Sequence, residues 1–323
     1  MQPEPTPAPE SALLEERPAE PASRQPRRGL IGIVLLLAWV TMACAAFLLM
    51  PEPPPPPTVD PEEQAIRERM SNWAVRDAEQ WTGEQGDLTI PWDRAQGHLA
   101  IVIDDVGREL ELFEKLHALR FRLSFSVLPG AVYTAGVQQR LSQDQRRPRE
   151  ILLHLPMEPL DPAAMEIEEE QSETFLLASD TSEELREKLR VAMEAVPQAR
   201  GVNNHMGSRL TANRKAMTAL MPVLREAGWF FLDSRTNPKT VAASRAKLAG
   251  VETISRKVFL DHEPGSEAIR ASLREAASYA RERPTVAIAH PSVEVIEVLS
   301  EELPRLHEQG VAIYSVSELM AGR

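Results

Sequence analysis

From residue 97 to the C-terminal end, short apolar runs alternate with amphipathic stretches, and this alternation restricts the chain to an α/β fold built on a parallel sheet. Strand-like runs fall at 99–103, 123–127, 151–154, 229–232, 285–289 and 311–314, with weaker ones at 200–204 and 251–258. Helical periodicity occupies 108–119, 182–195, 212–227, 266–282 and 292–308. Roughly seven or eight strand–helix units are the scale of one (β/α) barrel. A doubly wound open sheet is the other arrangement, but no glycine-rich dinucleotide loop follows the first strand.

The segment before residue 97 has a different character. Residues 1–29 are rich in Pro, Glu and Ala without apolar periodicity, as expected of a disordered tail. Leu30 to Met50 is an uncharged apolar run long enough to span a bilayer as a helix, preceded by Arg24, Arg27 and Arg28. The positive-inside rule then puts the N-terminus in the cytoplasm and residues 51–323 across the membrane. A cleaved signal peptide is the competing reading, with small residues around Cys44; the long tail before the run favours an anchor. Residues 51–96, starting with a proline run, read as linker and stalk, and 97–323 as the folded domain. The only cysteine, Cys44, lies in the apolar run, so no intrachain disulfide can form.

Polar residues gather where the strand-like runs stop. Leu99 to Ile103 runs into Asp104 and Asp105, and 151–153 into His154. The run near 200 carries Asn203, Asn204 and His205; 229–232 leads to Asp233 and Arg235, and 285–289 to His290. In a barrel these ends share the face on which active sites are built. The Asp pair could instead cap the following helix, and one histidine at a strand end is commonly structural. Three histidines together with two aspartates are the parts of a hydrolytic metal centre: ligands for zinc or a similar ion, a carboxylate base and an imidazole acid. Asn203 and Asn204 are suited to sugar hydroxyls or to holding a tight loop, and Asp233 with Arg235 to orienting His290, to binding substrate or to a structural pair.

The formal net charge of −12 sets the broad partner class. An acidic surface repels phosphate backbones, which excludes nucleic acid as the expected partner. The Arg146-Arg-Pro-Arg149 cluster reads as a solvated loop.

Ile103-Asp-Asp105, His154-Leu-Pro-Met-Glu-Pro159, Gly201-Val-Asn-Asn-His-Met-Gly-Ser-Arg-Leu-Thr211, Phe231-Leu-Asp-Ser-Arg-Thr236, Val258-Phe-Leu-Asp261 and Ala289-His-Pro291 resemble the divergent polysaccharide deacetylases over about residues 97–320. The resemblance implies a distorted barrel of the polysaccharide deacetylase type and removal of acetyl groups from N-acetylated sugars. The implied substrate is a cell-envelope glycan such as peptidoglycan, on the periplasmic side of a bacterial inner membrane. By position, Asp104 matches the family's catalytic base, Asp105 and His154 its metal ligands, and His290 its general acid. The metal motif departs at its second histidine, which here is Glu158. Either Glu158 or His205 completes the site, and two imidazoles suit zinc better than one. The same departure admits a chain that keeps the fold to bind glycan or an envelope partner without catalysis.

Overall fold

All strand pairs in the computed structural model run parallel, and the strand order β6-β5-β4-β3-β2-β1-β8-β7 is that of a curled α/β sheet. The described residues are 86–144, 147–161, 163–165 and 174–322. The 1–29 tail, the 30–50 apolar run and residues 51–85 of the linker lie outside them. Among the described residues no helix is long and apolar enough to cross a membrane.

The strands are β1 (Gly97–Val106), β2 (Ser124–Val127), β3 (Glu150–Met157), β4 (Gly201–Met206), β5 (Phe230–Asp233), β6 (Thr253–Ser255), β7 (Val258–Phe259), β8 (Thr285–Ala289) and β9 (Val311–Tyr314). The longer helices between them are α1 (Leu110–Ala118), α2 (Thr134–Gln143), α3 (Ser182–Ala195), α4 (Arg214–Ala227), α5 (Ala242–Ala249), α6 (Ser266–Glu282) and α7 (Val293–Glu308), with α8 (Val316–Ala321) at the end. Strand β8 occupies one edge of β1 over Leu99–Ile103. A strand has two hydrogen-bonding edges, so β9, which pairs Gly97–Ala100, must share the other edge with β2, which pairs from Val102 onward. At the opposite ends of the path, β6 and β7 are joined only by Arg256 and Lys257. Their backbone N–H groups donate to Asp233 on β5 (3.0 Å) and Val286 on β8 (2.8 Å), so this two-residue link crosses the seam of the sheet.

Alternation along each strand divides the core in two. Ala100, Val102, Leu152, Leu232, Val286 and Ile288 form one buried cluster, on the inner face. Leu99, Ile101, Ile103, Leu153, Val202, Phe231 and Ala287 pack in the other, with the helices. This parity decides which strand-end residues can meet: continuing the inner series by two gives Asp104, His154, Ser234 and His290.

Residues 86–96, expected to be the end of the stalk, belong with the sheet. Leu88 N–H donates to Arg120 O, Gln96 N–H to Gly310 O, and the Tyr314 hydroxyl to Ile90 O. Asp87 pairs with Arg149, which is buried, as is Arg147. The expected solvated arginine loop is therefore partly interior: the Arg147 and Arg149 guanidiniums are spent on the carbonyls of Ala118 and Leu119 and on Asp87.

Candidate metal centre

Asp104 and Asp105 are consecutive, so an extended strand would send them to opposite faces. The β1–β2 register shifts between Ile103 and Val106, and Asp105 adopts φ 55°, in the left-handed region. That local break turns both carboxylates to the same place: Asp105 Oδ1 lies 3.0 Å and Asp104 Oδ2 3.7 Å from His154 Nε2. Met206 (φ 51°) and Arg235 (φ 50°) share this conformation. Among the described residues, the non-glycine positions with positive φ thus all sit at or just past strand ends on the site's side, where such cost accompanies function.

His205 completes a triangle. Its Nδ1 lies 2.9 Å from Asp105 Oδ1 and 3.1 Å from His154 Nε2. Asp105, His154 and His205 are the group of described residues whose ligand atoms converge for a metal ion. A tetrahedral ion with bonds of about 2.0–2.1 Å needs donors roughly 3.3 Å apart, close to these spacings. The orientation of the rings fits as well. Asn203 Oδ1 accepts from His154 Nδ1 (2.9 Å), which leaves Nε2 as the ring atom facing Asp105 and His205. Burial is outweighed by the Asp104 and Asp105 carboxylates, which hold the His154 imidazole above its ordinary value, and a cation bound here would take the place of the Nε2 proton.

Glu158 is elsewhere. Its carboxylate accepts from the Ala178 N–H (2.6 Å) and faces Arg209 Nε (3.3 Å), while its backbone bonds Leu176, Arg209 and Leu210. It ties the loop after β3 to the segment after β4.

Asn203 is the hub behind the ligands. It lies opposite His154 in the β3–β4 register and is fully buried. Its Nδ2 donates to Asp104 Oδ1 (2.8 Å) and Ser234 Oγ (3.2 Å), and its Oδ1 also accepts from the Ser126 hydroxyl. Every polar atom of the amide is therefore committed to protein, so Asn203 positions Asp104 and His154 and has no polar atom left for a sugar. Asn204 and Asp233 have the opposite strand parity and are buried too. Asn204 bonds Ser234 N–H, Met206 O and Thr236; Asp233 accepts from Arg235 N–H and Thr240. These residues shape the strand-end turns, which corrects the expectation of sugar contacts. Of that group, Arg235 alone is exposed.

His290 meets Asp261 rather than Asp233. Asp261 Oδ2 accepts from both the backbone N–H (2.7 Å) and Nδ1 (3.0 Å) of His290. Asp261 is not among the polar strand-end residues singled out from the sequence; the signal for it was its place just past β7, at the end of the Val258-Phe-Leu-Asp261 motif.

Electrostatics separate the roles. Burial pushes the Asp104 carboxyl above the ordinary carboxylate range. Burial opposes ionisation of Asp105 as well, but hydrogen bonds with His154 and His205 outweigh it and hold that carboxyl well below the usual range. Burial carries His205 down to about 4, so its imidazole is neutral, as a ligand must be. For His290 burial is outweighed by the Asp261 hydrogen bond and the Asp105 and Asp104 charges, which raise it to about 9. A carboxyl and an imidazole that are both raised by their surroundings form a pair able to exchange protons with a bound molecule.

A family model for divergent polysaccharide deacetylases matches residues 101–320. The chain belongs to the divergent polysaccharide deacetylase family. An uncharacterized protein of Haemophilus influenzae is 37% identical over 215 residues, covering 66% of this chain and 74% of its own. The uncharacterized YibQ of Escherichia coli is 35% identical over 206 residues, covering 64% of this chain and 62% of its own. The crystal structure of an uncharacterized Agrobacterium tumefaciens protein superposes with a TM-score of 0.64 at 24% identity, over 72% of this chain and 93% of the other. That likeness shows a shared fold.

Proposed function

We propose that this family member is a metal-dependent hydrolase that removes acetyl groups from N-acetylated sugars of a cell-envelope polysaccharide, with peptidoglycan the leading substrate. The supporting observation is the Asp105–His154–His205 triangle with Asp104 held beside it by Asn203. Asp105, His154 and His205 would hold a divalent ion such as zinc, which when bound would supply Lewis acidity toward the acetyl carbonyl and favour ionisation of water. Asp104 takes a proton from the water that adds to the acetyl carbon. His290, held protonated by Asp261, gives its proton to the sugar nitrogen as the C–N bond breaks, leaving acetate and a free amine. The 30–50 apolar run after Arg24, Arg27 and Arg28 supports an inner-membrane anchor with the domain on the periplasmic side.

Acetate release tests this reading. The full chain, reconstituted with zinc, is expected to liberate acetate from N-acetylated glycan oligomers. Asp104→Asn should retain the metal and lose on the order of 10²-fold or more in rate. No acetate release at stoichiometric metal would set the catalytic reading aside in favour of a glycan-binding role.

A further inference from the structure

The link that crosses the seam between β6 and β7 places positive charge next to the candidate metal centre. Arg256 lies 3.8 Å over the Phe259 ring, and Phe259 stacks on His290 with centroids 6.0 Å apart. Arg235 follows β5 directly after Ser234, which bonds the hub Asn203. Arg235, Arg256, Lys257 and Phe259 are among the residues that line a cleft of about 770 Å³.

Several costs are met to hold this arrangement. Arg235 takes a left-handed backbone that non-glycine residues rarely adopt. The half-buried Arg256 donates Nε to Ser234 O (2.6 Å) and Nη2 to Arg235 O (3.0 Å), so both bonds go to carbonyls. Burial and the neighbouring Arg235 bring the Arg256 guanidinium down to about 10, the mark of like charges held together. Lys257 Nζ sits 4.1 Å over the Tyr279 ring. Among the described residues none of the three cations forms an ion pair with a carboxylate, although acidic residues outnumber basic ones, 48 to 36. Arg270, on α6, by contrast engages Glu267, Glu301 and Glu302.

We infer that this cleft receives a carboxylate carried by the glycan, so that the substrate class is an N-acetylated acidic polysaccharide and not a neutral one. This rests on the deacetylase reading for its choice of ligand and specifies its substrate. Glu263 and Glu275 also line the cleft, and against the three cations these two carboxylates leave one net positive charge. That balance suits a monoanion and disfavours a polyphosphate. A guanidinium also offers a planar fork that matches a carboxylate. The same carboxylate could come from a lactyl ether on one sugar or from a hexuronate ring, and the two sources set different distances from the acetyl group.

The test compares matched N-acetylated oligosaccharides on the zinc-loaded full chain. One series carries lactyl-ether carboxylates, a second carries hexuronates, and each has a counterpart with its carboxylates converted to methylamides. The acid form of one series is expected to bind about tenfold tighter than its amide by calorimetry and to show a matching drop in KM. Lys257→Gln and Arg235→Gln should each bring that ratio toward one, and Lys257→Arg should restore it. The series showing the preference identifies the source. Equal affinity of acid and amide in both series, or no binding of either acid, overturns the inference whatever the turnover. A tenfold acid preference without acetate release would leave the cleft assignment standing while removing the deacetylase reading.

Discussion

One oxygen of Asp261 accepts two hydrogen bonds from His290, at 2.7 Å from its backbone N–H and at 3.0 Å from Nδ1. The pairing commits Nδ1, fixes the ring orientation and leaves Nε2 as the atom for the proposed proton transfer. The folded value of about 9 lies above the ordinary 6.5. The sign follows from linkage: this stabilisation is fully present below about 6.5 and is lost as pH rises through about 9. NMR titration of metal-free protein should therefore find His290 protonated well past neutrality, and Asp261→Asn should lower its pKa. A bound divalent cation, being a like charge, should lower it as well. A His290 pKa at or below 6.5 in the metal-free protein would refute the assignment.

His205, and not Glu158, converges with Asp105 and His154. Metal analysis after dialysis against zinc should give near-stoichiometric ion for wild type and for Glu158→Gln. His205→Ala and Asp105→Ala should each lose it. Glu158→Ala is expected to act on stability instead, by about 1–3 kcal/mol, because the Ala178 N–H and the Arg209 guanidinium lose their acceptor. Loss of metal in folded Glu158→Gln, with retention in His205→Ala, would reverse the ligand assignment.

Asn203 couples Asp104 and His154 through one amide. Asn203→Asp is nearly isosteric but replaces the Nδ2 donor with an oxygen facing the Asp104 carboxylate. Orienting partners of this kind are worth about 10–100-fold in metal affinity. Competition with a chromophoric chelator should show a loss of that order, with a further fall in any acetate release. Unchanged affinity and rate would mean that the hub is dispensable.

Much of this architecture was legible in the sequence because burial imposes periodicity. The runs at 285–289 and 311–314 match β8 and β9, and the helical patterns at 182–195 and 266–282 match α3 and α6. Helices α2, α5 and α8 were not foreseen. The first is largely polar, the second is alanine-rich with few large apolar residues, and the third is only six residues long, so none shows a clear apolar stripe. Asp104, Asp105, His154, His205 and His290 stood out as chemistry-bearing residues at strand ends. Their division from Asn204 and Asp233 did not, since it depends on strand parity, and the left-handed turn at Asp105 is a tertiary outcome that no propensity encodes.

Gly201 links the fold to the site. A Cβ there would come within 2.5 Å of the buried Phe230 ring across the β4–β5 pairing. Gly201 begins the strand that carries both Asn203 and His205, so displacement of its backbone reaches the ligand set within four residues. Gly201→Ala should cost about 1–3 kcal/mol through overpacking. For a domain of this size that corresponds to a fall in Tm of roughly 2–12 °C. Zinc affinity should fall with it, and Phe230→Leu in the same chain should recover part of both losses by opening space for the new methyl group. Calorimetry and metal titration on the single and double variants measure the coupling directly. If the two substitutions prove additive, the contact between Gly201 and Phe230 does not set the position of β4.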